Sequence, residues 1–329
     1  MKKLIFVLMM IPTLFLMIGC KDDSYADIIV TMYPQYDFAR QIVGDKMSVR
    51  LLTPPGAEIH DYEPTSKDLV AIKKAKLFIF TSTELNTWVN PATIGGQDTI
   101  VLDLSTAYTL AEHDHHDEDD HLHDSKAYEQ KLYTLLDDHD HDHDHEHEIH
   151  YWTDPTTAMQ LIESILEKII MIDPQNEAFY TDNAHEYIEM IHELHEAIDL
   201  FFQVEEHRST PFYFAGHNAM GAFAERYHIQ IISLFESFKP DADLTSAELV
   251  LFVNEVRDTG TKFIFIEELV NPKTAQKIMN ELKKYDITAL ELHGYHNVSK
   301  EDFKAQVSYV DLLQRNFDHI KLALGEQQI

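Results

Sequence analysis

Strand-like and helix-like segments alternate along this chain in two runs, separated by one uninterrupted helical stretch. That order predicts an α/β protein: two βα-alternating lobes bridged by one long rigid α-helix. The length of 329 residues exceeds a comfortable single domain and suits two lobes of roughly 150 residues each. A hydrophobic content of 44%, with 18 Phe and 15 Tyr, provides apolar surface for two cores.

In the first run, "DIIVTM" (27–32) reads as a buried strand and "QYDFARQIVGD" (35–45) as an amphipathic helix. "MSVRLLT" (47–53) is a second strand, and "TSKDLVAIKKA" (65–75) a helix whose Thr65 and Asp68 have the spacing of a capping box. "KLFIFTS" (76–82) and "DTIVLDL" (98–104) complete the strands of the first lobe. "TTAMQLIESILEKIIMID" (156–173) is helical, and 174–206 reads as one helix of about 30 residues with Pro174 suited to its start. Such a length suits a rod between lobes. The alternation then resumes with strands "PFYFAG" (211–216), "IQIISLF" (229–235), "KFIFIEE" (262–268) and "ITALEL" (287–292). Helices are expected over 217–227, 245–260, 272–285 and, closing the chain, 300–324. The predicted organisation is an N-terminal lobe over 27–173, a bridging helix over 174–206 and a C-terminal lobe over 207–329.

Residues 1–19 read as a signal peptide: Lys2 and Lys3, an apolar run, then Gly19 and Cys20. An apolar run of that length also suits a membrane anchor, but the only cysteine of the chain stands directly after it. "MIGC" resembles a bacterial lipobox, with Met17 where leucine is commoner. It implies that Cys20 is lipidated, that residues 20–26 form a tether, and that the protein is membrane-anchored on the extracytoplasmic side. No further cysteine exists to make an internal disulfide, a thiolate metal site or a cysteine nucleophile, so metal chemistry here rests on His, Asp and Glu. A formal charge of -31 argues against nucleic acid and fits a protein that meets cations.

Ligands of open α/β sheets bind beyond the carboxyl ends of the strands, so histidines in those places are the candidates for chemistry. His60 follows the second strand, His217 follows "FYFAG", and His293 and His296 follow "ITALEL". His150 stands just before the helix that opens near Thr156. Zinc takes imidazole nitrogen in a tetrahedron, and an ion held from both sides of the long helix would sit in the cleft between lobes.

"GAEIHDYEPTSKDL" (56–69), "HYWTDP" (150–155), "FAGHNAMGAFAERY" (214–227), "FIFIEELVNPKTAQKI" (263–278) and "HNVSKEDF" (296–303) resemble, in order, the zinc receptors of bacterial ABC importers, a ZnuA/TroA-like family of two-lobed substrate-binding lipoproteins. The resemblance runs from about residue 27 to 325. It implies a Zn2+ site built from His60, His150, His217 and a fourth position, often a carboxylate, that falls here on His296. The departure leaves His293, Glu291, another carboxylate or water as alternatives at that fourth place. It also implies an ABC transporter permease as partner and a monomeric receptor, not an enzyme. A set rich in imidazole favours zinc over manganese, which prefers oxygen ligands. Glu267, in register with a family glutamate, is expected to orient a ligand from behind, or else to be a strand-end carboxylate in water. Trp152 and Asp154 are expected to fix the His150 loop.

Residues 112–149 are a low-complexity insertion expected to form a surface loop. Its His113, His115, His116, His121, His123, His139, His141, His143, His145 and His147 offer interchangeable weak zinc sites; a solvated spacer is the plainer reading. His185, His192 and His195 share a face of the long helix and read as an exposed polar surface. "HELHE" (192–196) is not the H-E-x-x-H of zinc proteases, since its second histidine comes one residue early. A three-imidazole zinc with bound water would formally suit a hydrolytic enzyme, and a surface zinc buffer or adhesin is a third class. The motifs favour neither.

Overall fold

The computed structural model describes residues 25–57, 59, 62–107, 149–217, 219–235, 246–268 and 272–325. Each lobe holds a four-stranded, wholly parallel sheet. The first has β1 (Ile28–Val30), β2 (Val49–Leu51), β3 (Leu77–Phe80) and β4 (Ile100–Asp103) in the order β2-β1-β3-β4. The second has β5 (Phe212–His217), β6 (Ile231–Phe235), β7 (Phe263–Ile266) and β8 (Thr288–Glu291) in the matching order β6-β5-β7-β8. The sequence order of each run therefore becomes the same topology twice. In each sheet the order reverses at the first strand, leaving a crevice between β1 and β3 and between β5 and β7, where such sheets take their ligands.

The expected single helix over 174–206 divides. Pro174–Asn176 form a 3-10 turn, Glu177–Phe202 a helix of 26 residues, and Glu205–Ser209 a separate short helix. Pro174 lacks the N–H a continuous helix would need at that point, which suits a tight entry turn instead. Tyr180, Ala184, Tyr187, Ile191, Leu194, Ile198 and Phe202 make one buried stripe at three- and four-residue spacing. The first half packs on the N-terminal lobe, with Tyr187 against Phe38; the second half packs on the C-terminal lobe, with Phe202 against Phe212 and Phe201 against Phe317. A single apolar cluster therefore runs through both lobes and the helix between them.

The closing helix also divides, into Lys300–Ala305 and Tyr309–Ala323. Gln306 takes a left-handed conformation (φ 56°), and Ser308 with Asp311 forms a capping box that starts the second piece. The capping box read at Thr65 and Asp68 is present. Among the described residues no helix is long and apolar enough to cross a membrane; Cys20 and the signal segment lie outside them.

Candidate metal centre

The carboxyl ends of β5, β7 and β8 lie side by side and deliver the polar groups of the second lobe. His217 is the last residue of β5, not the opening of a helix, which begins at Gly221. The pairing of β5 with β6 shifts between Phe214 and His217, an irregularity of the kind that re-aims a strand-end side chain. Glu267 and Glu268 follow β7 directly. Residues 292–296 continue from β8 and carry His293 and His296.

His150 enters from the first lobe. It precedes a single 3-10 turn, Tyr151–Thr153, whose Thr153 N–H and hydroxyl both donate to the His150 carbonyl at 3.0 Å. Each following residue has a task. Tyr151 donates its hydroxyl to the Thr81 carbonyl beyond β3 (2.7 Å), and the Trp152 indole N–H donates across the cleft to Gly294 (2.9 Å). Asp154 caps the helix Pro155–Ile172 through the Thr156 N–H (2.9 Å) and accepts a forked pair from Arg226 of the second lobe, at 3.0 and 2.7 Å.

His150, His217 and His296 converge, with ring centroids 5.0, 5.1 and 5.3 Å apart and candidate ligand atoms all within 4.8 Å of one another. All three are buried. The Nε2 atoms of His150 and His217 stand 3.3 Å apart. A tetrahedral zinc with bonds of about 2.0–2.1 Å places its ligand nitrogens roughly 3.4 Å from each other, so this spacing is that of two corners of such a site.

Two carboxylates back the cluster. Glu267 Oε2 lies 2.9 Å from His217 Nδ1, and Glu268 Oε1 lies 2.9 Å from His296 Nδ1. A carboxylate on Nδ1 holds the proton there and keeps the lone pair on Nε2, the tautomer a metal requires. Glu268 also accepts the backbone N–H groups of Gly294 (2.7 Å) and His296 (3.1 Å). Burial alone would push its carboxyl up. Its interactions with the His293 and His296 imidazoles and these hydrogen bonds outweigh that and hold it well below the usual range, so it stays ionised. Asn316 grips the same segment from the other side: its Oδ1 accepts the His293 N–H (2.7 Å), and its Nδ2 donates to the His293 carbonyl (2.8 Å) and the Tyr295 hydroxyl (3.0 Å). Tyr295 consequently sits at φ 65°, a left-handed conformation that bulky residues adopt only under such constraint.

Two glycines leave the necessary room. A Cβ on Gly216 would come 2.9 Å from Glu267 Oε2, and one on Gly294 would come 2.7 Å from the His296 ring. Neither carboxylate nor imidazole could then keep its place.

Of the alternatives for the fourth position, His293 is not among the converging imidazoles, and its Nδ1 accepts the Tyr295 N–H at 2.8 Å. Glu291 pairs with Arg315 at 3.6 Å. His60 and the ten loop histidines from His113 to His147 lie outside the described residues. On the bridging helix His185 and His192 are exposed as expected, but His195 is half-buried against the Tyr227 hydroxyl (2.9 Å), and burial pulls its imidazole below the usual range. Sequence reading missed Glu268 and Asn316. The doubled "EE" after β7, and an asparagine on the apolar stripe Tyr309, Leu312, Leu313, Asn316, Phe317, Ile320, were the available signals.

Two parallel α/β lobes on a shared rigid helix, with imidazoles from both meeting in the cleft, define the class of two-lobed metal-binding receptors. The profile of the ZnuA family, zinc-uptake complex component A, periplasmic, matches residues 28–323, and the chain belongs to that family. It is 27% identical over 307 residues to the high-affinity zinc uptake system protein ZnuA of Bacillus subtilis, covering 92% of this chain and 89% of that one. It is 26% identical over 334 residues to the zinc-binding lipoprotein AdcA of Streptococcus pneumoniae, covering 99% of this chain but spanning 62% of that longer protein. Among solved structures, the metal-dependent lipoprotein YcdH of Bacillus subtilis superposes with a TM-score of 0.67 at 26% identity, covering 89% of this chain and 97% of that one. The Zn(II)-bound ZnuA-like domain of pneumococcal AdcA shares the fold, with a TM-score of 0.68 at 23% identity, over 92% of this chain and 100% of that one.

Proposed function

We propose that this chain is an extracytoplasmic receptor that captures Zn2+ in the cleft between its lobes and hands it to an ABC transporter permease, held at the membrane through lipidated Cys20. The observation that carries the reading is the buried convergence of His150, His217 and His296 with carboxylates behind two of them. His60 is the fourth ligand of this proposal, and the histidine-rich insertion collects zinc near the cleft. Imidazole donors favour zinc over manganese. Copper would bind such donors more tightly still, so geometry and supply set the physiological choice. The mechanism is coordination and release without covalent chemistry: Glu267 and Glu268 keep the Nε2 lone pairs aimed at the ion, and burial excludes competing water.

The test is titration of zinc and manganese into soluble protein beginning at Lys21, with and without residues 113–148. One tight zinc site is expected to survive removal of the insertion, manganese is expected to bind weakly, and His217→Ala is expected to abolish the tight phase. Loss of tight binding together with the insertion would overturn the cleft site and leave a metal-storing surface lipoprotein. A strain lacking the protein is expected to grow poorly when zinc is scarce, which separates an import receptor from an adhesin.

A further inference from the structure

Two of the places where the first lobe meets the second close to the metal centre are built differently; a third contact there is the Tyr33 N–H to the His296 carbonyl (3.5 Å). The His150 segment is tied down by Trp152 to Gly294, by the Tyr309 hydroxyl to the Trp152 carbonyl (2.9 Å), and by the Asp154–Arg226 fork. The other place is the turn after β2. Pro54, Pro55, Gly56 and Ala57 form a β-turn closed by the Ala57 N–H to the Pro54 carbonyl (3.0 Å), with Gly56 at φ 81°, the signature of a type II turn with proline and glycine at its centre. In the sequence His60 stands three residues after this turn. Every hydrogen bond described between it and the second lobe comes from Asn297 and Val298, directly after His296. Asn297 Nδ2 donates to the Pro54 and Ala57 carbonyls, each at 2.8 Å, and the Gly56 N–H donates to the Val298 carbonyl at 2.8 Å.

The Asn297 amide is fully specified. Its Oδ1 accepts the Val298 N–H (2.9 Å), so both protons of Nδ2 are committed to the two turn carbonyls, and the residue is buried. No other side chain of similar size supplies that set. Aspartate would set a carboxylate against two carbonyl oxygens, alanine would leave both unpartnered, and serine could serve one.

We propose that Asn297 is the positioning residue that latches the turn 54–57 to the His296 segment and thereby sets how long zinc stays bound. This rests on the receptor reading above. The latch holds its side of the cleft by three hydrogen bonds without the ion pair that secures the His150 segment, so release proceeds by undocking the turn while the His150 segment stays in place.

The experiment measures zinc capture and chelator-driven release by stopped flow, with amide exchange, on lipid-free protein and on its Asn297→Ala and Asn297→Ser variants. The Ala variant is expected to release zinc about tenfold faster, from the loss of two buried hydrogen bonds, with capture unchanged and Ser in between. Protection of the Gly56 amide is expected to fall while that of Thr153 persists. A folded variant that releases zinc at the wild-type rate would overturn the latch. So would equal loss of protection at Gly56 and Thr153 with both rates altered, since that marks a general structural lesion. Wild-type protein without tight zinc binding would instead overturn the receptor reading, a result read from the first titration alone.

Discussion

The two lobes share one strand order, yet the crevice where that order reverses is closed in the first and chemical in the second. Beyond β1 and β3, Gln35 Oε1 accepts the N–H groups of Thr31 (3.0 Å) and Met32 (3.1 Å), its Nε2 donates to Thr81 Oγ1 (2.8 Å), and Asn86 Oδ1 accepts the Thr81 N–H (3.0 Å). These neutral amides satisfy the strand-end backbone and seal the place. Beyond β5 and β7 stand His217, Glu267 and Glu268. The first lobe's contribution to the cluster, His150, comes from a segment laid over the sealed crevice through Tyr151 and Thr81. The comparison teaches that topology supplies the location and the residues at strand ends decide whether anything happens there.

Glu268→Gln breaks the chemical side with the largest effect. The amide keeps the size but sets an N–H group against donors at Gly294, His296 or the His296 ring. Zinc affinity is expected to fall 10–100-fold, the range seen when the partner behind a metal-ligating histidine is lost, measured by competition with a chelator. Glu267→Gln, at a half-buried carboxylate with one such bond, is expected to fall near the lower end. An unchanged affinity in folded Glu268→Gln would mean that the carboxylate only shapes the segment 293–296.

Gln35→Leu breaks the sealed side. It strands two backbone N–H groups and is expected to cost about 2 kcal/mol of stability, read from chemical denaturation, with zinc affinity unaltered. A change in affinity would show that the sealed crevice belongs to the metal centre.

Asp68→Asn gives the smallest effect and a pH signature. Burial tends to raise the Asp68 carboxyl, but the Thr65 hydroxyl and N–H and the Arg50 guanidinium together hold it below its ordinary 3.8. A carboxylate depressed on folding contributes stability above its unfolded pKa and loses it as pH falls through the folded one. The variant is therefore expected to be about 1 kcal/mol less stable near pH 7, with the gap closing below about pH 4. A gap constant from pH 7 to pH 3 would assign the effect to packing instead.

Much of this was legible in the chain. Apolar runs at strand and helix periods gave both sheets their strands, and "HYWTDP" announced a fixed histidine whose neighbours all have local work. The helix boundaries were less legible: Gln306 interrupts a continuous helical pattern because a left-handed residue and a capping box meet there, and neither shows in hydrophobic periodicity. Glu267 was readable as a possible partner of a ligand, whereas Glu268 and Asn316 were not assigned, because their partners lie 28 and 23 residues away, in residues 293–296.

The sequence by itself determined two α/β lobes, a helix joining them, histidines at strand ends, and a chain without cysteine beyond position 20. These follow from local periodicity and composition, which act over one or two turns of chain. The family resemblance named His150, His217 and His296 together, but local periodicity could not, and it is the tertiary structure, two sheets docked on one helix, that brings their ligand atoms within 4.8 Å of one another. It also decided that His293 stays out of that group, because a buried glutamate and an asparagine distant in the chain hold the backbone of that short segment.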